Sequence, residues 1–167
     1  TLNRADIDTP LGRMRLAASD SALVGVWFVD QKHAPDPLVV ARWRTDGDHP
    51  VLRVAARQLA EYFAGRRQAF HLPLDLSPGT PFQQSVWVAL QGIGPGRTLT
   101  YGELAQRLNA PRAVRAVAAA VGRNPLGIVV PCHRVLGAGG ALTGYAGGLP
   151  RKAALLDLES GHAPIPA

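Results

Sequence analysis

Thr100 to Gly122 reads TYGELAQRLNAPRAVRAVAAAVG, and its reading decides the fold of the half of the chain that contains it. Thr100 and Glu103 stand at capping-box spacing and open a short helix to about Leu108. Asn109 and Ala110 make a tight turn, and from Pro111 to Gly122 the alanine-rich run predicts a second helix closed by glycine. Helix, short turn, helix is the outline of a helix-turn-helix, an outline that other all-α pairs share. The second helix carries Ala113, Ala116, Ala118, Ala119 and Ala120 where a base-reading helix presents Arg, Asn, Gln or Lys. A surface this smooth suits a phosphate backbone or a shallow groove, read by shape.

Outward toward the N-terminus, TPFQ at 80–83 is another capping box with proline at the first helical position, and Phe82, Val86, Trp87 and Leu90 supply its apolar face. GIGPGR at 92–97 ends that helix. Before it, DLSPGTP is turn-rich, and we place a linker at 76–79. Residues 1–75 read as a small α/β unit, with strands near 12–18, 21–29 and 69–72 and a helix announced by Asp48 and Pro50, ending near Gly65. Residues 80–167 read as a mostly helical unit, and the fold class is α+β.

The chain has 167 residues, 47% of them apolar, enough for one ordinary domain or two small ones. Its charge of +6 is uneven: residues 1–79 hold ten Arg/Lys against nine Asp/Glu, residues 80–167 eight against three. Between Leu104 and Leu156 there is no carboxylate, whereas Arg107, Arg112, Arg115, Arg123, Arg134, Arg151 and Lys152 are present. That balance suits a polyanion such as nucleic acid and equally a solvated basic surface. The charged N-terminus does not resemble a signal peptide, and no apolar run approaches the roughly 18 residues of a membrane span. We expect a cytoplasmic protein, with residue 1, a threonine, reflecting trimming.

The chain's one cysteine, Cys132, lies in IVVPCHRVLGAGGALTGYAGG at 128–148 and excludes an internal disulfide framework. Alone, it reads either as a small buried hydrophobe or as a nucleophile. A base beside it would raise its thiolate fraction, and His133 is adjacent, although successive side chains diverge on an extended segment. The carboxylates available in this half to orient the histidine are Glu103, Asp157 and Glu159, the last two on a helix expected from Pro150 with Ala154, Leu155 and Leu158 facing the core.

Together NP, PCHRV and GYAGG, with TYGELA, PRAVRAV and FQQSVW upstream, resemble the O6-alkylguanine-DNA alkyltransferase family from about Thr80 to Glu159, and TPLGRMRLAA more loosely. The resemblance implies transfer of an alkyl group from guanine O6, with O4-alkylthymine a further candidate, onto Cys132 in one step that consumes the protein. By the same resemblance His133 is the base through a bound water, Glu159 fixes its tautomer, Tyr101 donates at guanine N3, and Asn124 is the hinge to the cysteine segment. Arg115 takes the place of the extruded base, with Arg112, Ala113, Ala116, Ala118, Ala119 and Tyr101 against the minor groove. Pro131, the carbonyls of Cys132 and Val135, Tyr145 and the Ala146 amide form the pocket; alanine at 146 lacks the serine hydroxyl of some relatives. The expected partner is duplex DNA with O6-alkylguanine, bound by a monomer and open to cooperative binding. No membrane, cofactor or metal is expected.

Two other readings fit part of the same pattern. A lesion-sensing or regulatory helix-turn-helix protein would bind without transfer, but the former class lacks the acceptor cysteine and the latter needs base-reading side chains. A thiol hydrolase would turn over without DNA, leaving the basic helix pair without a purpose.

Overall fold

Strand β1 (Asn3–Thr9) pairs antiparallel with β2 (Gly12–Ala18), Asn3 opposite Ala18 and Thr9 opposite Gly12. The turn closes on Thr9, whose Oγ1 donates to the Gly12 carbonyl at 2.6 Å and accepts from Leu11 N–H at 3.2 Å. Gly12 sits at φ 124°, which a side chain would strain. β1 is absent from the sequence reading because its outer face is charged; Asp6 and Asp8 pair across to Arg15 and Arg13, at 2.9 and 3.2 Å. β3 (Leu23–Phe28), buried throughout, pairs antiparallel with β2. A short helix α1 (Pro37–Val40) leads to β4 (Arg44–Thr45), parallel to β1, giving the order β3-β2-β1-β4.

Helix α2 (Pro50–Phe63) packs Leu52, Ala55, Leu59, Tyr62 and Phe63 into the core with Met14, Leu16, Val26 and Phe28. Its N-cap is His49, whose Nδ1 accepts from Val51 N–H, and Pro50 is in the first turn as expected. Ala17, Val24 and Trp27 form a second cluster, covered by Leu2 and Trp43. No strand forms at 69–72. Instead the Gln58 side chain both donates to and accepts from the His71 backbone, so a side chain supplies the bonds that a neighbouring strand would. The ladder contact comes later, at Leu74 opposite Leu23.

The structure, a computed structural model, describes residues 1–161; the last part of the expected second domain, 162–167, lies outside them. In the second half, α3 (Pro81–Leu90), β5 (Leu99–Thr100), α4 (Tyr101–Arg107), α5 (Val114–Gly122), β6 (Val135–Leu136) and α6 (Leu149–Glu159) follow in order, with β5 parallel to β6. Both capping boxes form, Thr80 with Gln83 and Thr100 with Glu103. Val86, Trp87 and Leu90 are buried as expected of α3, whereas Phe82 is exposed. α5 begins three residues later than expected, because residues 111–113 form a turn closed by Ala113 N–H on the Ala110 carbonyl. The Trp87 indole N–H donates to the Ala120 carbonyl at 2.8 Å and fastens α3 to α5.

The fold is α+β, and one continuous apolar cluster runs through both halves. β3 also joins the second half through its backbone: Val26 N–H donates to the Pro125 carbonyl at 2.8 Å, and Gly127 N–H to the Val26 carbonyl at 3.1 Å. Arg151 closes the other side, donating to the Leu11 carbonyl and Asp30, with its guanidinium 4.1 Å from the Phe28 ring centre.

Candidate active site

Asn124 makes the turn that brings α5 to the cysteine. Its Nδ2 donates to the Val130 carbonyl at 2.8 Å and its Oδ1 accepts from Leu126 N–H at 3.0 Å, clamping the loop between them. Inside that loop Ile128 is held at φ 69°, an outlier for a β-branched residue, so the clamp enforces a conformation the chain would not choose alone. Cys132–Arg134 then form a single 3-10 turn, with Arg134 N–H on the Pro131 carbonyl, rather than the extended run expected.

His133 Nε2 lies 2.7 Å from Glu159 Oε2, and both side chains are buried. Burial pushes the Glu159 carboxyl up, but hydrogen bonds from His133, Arg134 and Tyr62 outweigh it and hold the group down at about 2. An ionised carboxylate accepts only, so the neutral imidazole carries its proton on Nε2 and presents a lone pair at Nδ1. That Nδ1 is buried without a hydrogen-bond partner among the described residues. Burial also holds His133 below its ordinary range, so it rests uncharged. Arg134 donates to Glu159 from Nε at 2.7 Å and from a terminal nitrogen at 2.9 Å, and also to the Ile93 carbonyl.

Cys132 is 8% exposed and faces a cavity of about 620 Å³. Burial pushes its thiol up, opposed by a hydrogen bond from the Asn124 side chain and by the charge of Lys152. The resting group is a thiol that needs a base. Tyr101, Ala118, Ala119, Tyr145 and Ala146 line the same cavity. The Tyr101 hydroxyl donates to the Gly144 carbonyl at 3.4 Å, and burial keeps it protonated. The aperture therefore combines one nucleophile, two phenols, backbone groups and a smooth wall from α5.

The structure places the remaining expected residues in three groups. His133, Glu159 and Asn124 are buried and lie outside the cavity lining. Arg112, Arg115 and Ala116 are exposed, with Ala113 half-buried, at the N-terminal end of α5. Pro131 and Val135 are buried and do not line the cavity; the Val135 carbonyl accepts from Lys152. Of the seven cations between 104 and 156, three are not open surface charge: Arg134 is paired to Glu159, Arg151 to Asp30, and Lys152 is fully buried. Arg107, Arg112, Arg115 and Arg123 remain exposed.

Sequence reasoning missed several groups. Lys152 Nζ donates to the carbonyls of Val135, Thr143 and Gly144 at 2.5, 2.7 and 3.0 Å, using all three of its protons, and burial draws its ammonium down to about 8. Its spacing from Leu155 and Glu159 puts it on their helix face, a signal that was present. Lys32 and His33 reach the cavity from the first half, held by Lys32 N–H on the Ala146 carbonyl, and no local motif announced them. Among the described residues no cluster of His, Cys, Asp and Glu could hold a metal, and no helix is long and apolar enough to cross a membrane.

A buried thiol backed by histidine and glutamate, opening beside a helix-turn-helix, defines a protein whose covalent chemistry is brought to nucleic acid. Comparison with known proteins agrees. The family model described as "6-O-methylguanine DNA methyltransferase, DNA binding domain" matches residues 81–161, and that described as "6-O-methylguanine DNA methyltransferase, ribonuclease-like domain" matches residues 4–76. The methylated-DNA–protein-cysteine methyltransferase of Mycolicibacterium paratuberculosis is 47% identical over 158 residues, spanning 95% of this chain and 92% of its own. The crystal structure of Mycobacterium tuberculosis OGT in complex with DNA superposes with a TM-score of 0.87 at 45% identity, covering 97% of this chain and 95% of that one. The chain belongs to the 6-O-methylguanine DNA methyltransferase family.

Proposed function

We propose that this protein reverses DNA alkylation directly, taking the alkyl group from guanine O6 onto its own Cys132. The observation that carries this is the placement of Cys132 on the cavity wall, with its neighbour on the same turn, His133, buried and paired to Glu159. The thiol proton passes through one water to His133 Nδ1, and Glu159 stabilises the imidazolium through Nε2–H. The sulfur attacks the alkyl carbon in line, a C–S bond forms as the C–O6 bond breaks, and guanine leaves with negative charge. Tyr101 donates at guanine N3, where that charge develops. The product is a thioether that nothing in the site hydrolyses, so each molecule acts once.

The lesion base reaches the thiol only after leaving the stack. Ala118 and Ala119 line the cavity, and we assign Arg115 to the vacated place, with Arg112, Ala113 and Ala116 following the minor groove. Four exposed arginines and an α5 N-terminus with no acidic residue in its first turn supply the attraction for phosphate. Tyr145 and the Ala146 amide bound the base, and we assign the Cys132 and Val135 carbonyls to accept from guanine N2, the Val135 carbonyl lying behind the cavity lining and already accepting from Lys152. We retain the division into a supporting unit at 1–75, a linker at 76–79 and a transfer unit from 80, a monomer as the working form, and the cytoplasm as its location, where thiols stay reduced.

Intact-protein mass spectrometry after incubation with a duplex carrying one O6-methylguanine tests this. One methyl group added at Cys132, saturating at about one per protein and absent from Cys132→Ser, is expected. Lesion-selective binding without mass gain would move the protein to the sensing class.

A further inference from the structure

Glu159 Oε2 accepts three hydrogen bonds, and one comes from the first half of the chain. Besides His133 and Arg134, the Tyr62 hydroxyl on α2 donates to it at 2.6 Å, across 97 residues of sequence. Tyr62 is 1% exposed, and its ring meets Phe63 and Phe70, each at 5.5 Å between centres. Burying a hydroxyl this deeply is costly unless it is bonded, and here its partner is the carboxylate oxygen that also holds the histidine.

We propose that Tyr62 is a positioning residue for alkyl transfer: by donating to Glu159 Oε2 it withdraws electron density from the atom that faces His133 Nε2 and thereby sets the basicity of the histidine. The inference rests on the transfer reading and assigns the first half a role in chemistry, beyond support. A carboxylate shared among three donors stabilises an imidazolium less than one shared between two. Without the tyrosine hydroxyl, Glu159 attracts the Nε2 proton more strongly and His133 charges more readily. A charged His133 cannot take the thiol proton, so the rate falls on the acid side. The other ionisable groups facing this pair are Arg134 and Cys132 on the same turn, Lys152 on α6, and Tyr145 in the loop before α6. Tyr62→Phe alters none of them.

The test is the pH dependence of single-turnover transfer by the full chain from a duplex containing O6-methylguanine, with the His133 titration followed independently by nitrogen NMR of the DNA-free protein. Tyr62→Phe is expected to move the acid limb and the His133 midpoint up together, by about one pH unit, with the plateau rate within about threefold. 3-Fluorotyrosine installed at position 62 alone keeps the ring and strengthens the donor, and it is expected to move both midpoints down. This second variant decides the matter if Tyr62→Phe does not fold. Unchanged midpoints in a folded variant, with or without a lower melting temperature, would reduce Tyr62 to packing and overturn the proposal. Failure of the wild type to take up a methyl group would instead overturn the transfer reading, leaving the His133 titration to judge Tyr62 by itself.

Discussion

Asn124 holds the Val130 carbonyl at 2.8 Å across a loop in which Ile128 is forced into a left-handed conformation. The clamp and the strain belong together: the loop is short enough to aim Cys132 only because Asn124 closes it from both ends. Asn124→Ala strands the buried Leu126 N–H, at a cost of about 1–3 kcal/mol, and takes from the Val130 carbonyl one of its two donors, the other being Cys132 N–H at 2.8 Å. The expected result is a lower melting temperature and a loss of transfer that exceeds any loss of DNA affinity, measured by calorimetry and by methyl uptake on saturating duplex.

Arg115 is exposed on α5, so Arg115→Ala is expected to change stability by no more than about 0.5 kcal/mol. Its effect should fall on the lesion. Transfer from duplex is expected to drop more than transfer from the free alkylated base, because only the duplex requires a side chain to fill the vacated place. Equal losses on both substrates would remove Arg115 from base extrusion.

Acid sensitivity follows from two groups with the same sign. Glu159 titrates at about 2 in the fold against an ordinary 4.5, so its contribution is complete above about 4.5 and is lost as pH falls toward 2. His133 is depressed from 6.5, so the unfolded chain takes up a proton that the folded one refuses, and stability already declines below about 6.5. A melting series should fall continuously between these limits. Glu159→Gln should flatten the lower part and leave Arg134 uncompensated, at about 3–5 kcal/mol.

Lys152 occupies a cage of three carbonyls shaped for a compact ammonium. Lys152→Met takes the ammonium from all three acceptors, leaving the Gly144 carbonyl its contact with Tyr101, and removes the cation that favours the Cys132 thiolate. Lys152→Arg should not rescue it, since a planar fork cannot address three carbonyls converging on one point. Reduced melting temperature and slowed transfer are expected of both variants, read on the same preparations.

Much of this was legible in the sequence where one local signal sufficed. Capping boxes at Thr80 and Thr100, proline at Pro50 and Pro81, and the residue pattern around Cys132 each carry their meaning within a few positions. What escaped depends on distant partners. β1 hides its strand character behind charges that only pairing with β2 explains, and the expected strand at 69–72 is replaced by the Gln58 side chain. Arg134 and Lys152 read as surface charge because burial of a cation depends on acceptors supplied elsewhere, Glu159 for one and three loop carbonyls for the other. Tyr62 shares the buried face of α2 with Leu52, Ala55 and Leu59, and nothing local announces that its hydroxyl meets a glutamate at the far end of the chain.

The sheet's borders bear on how this protein can be stored. On one side it ends in β4, two residues long; on the other, β3 has backbone bonds taken up at Leu23 by the 73–75 segment and at Val26 by Pro125 and Gly127. The β3 border is thus taken up by the chain's own segments, whereas β4 pairs only with Asn3 and Arg4 and leaves the rest of β1, Ala5 to Thr9, without a strand partner on that side. A protein spent by a single reaction protects the genome only through the number of copies standing ready, and a β3 margin occupied by the chain's own segments is one edge withheld from pairing between those copies.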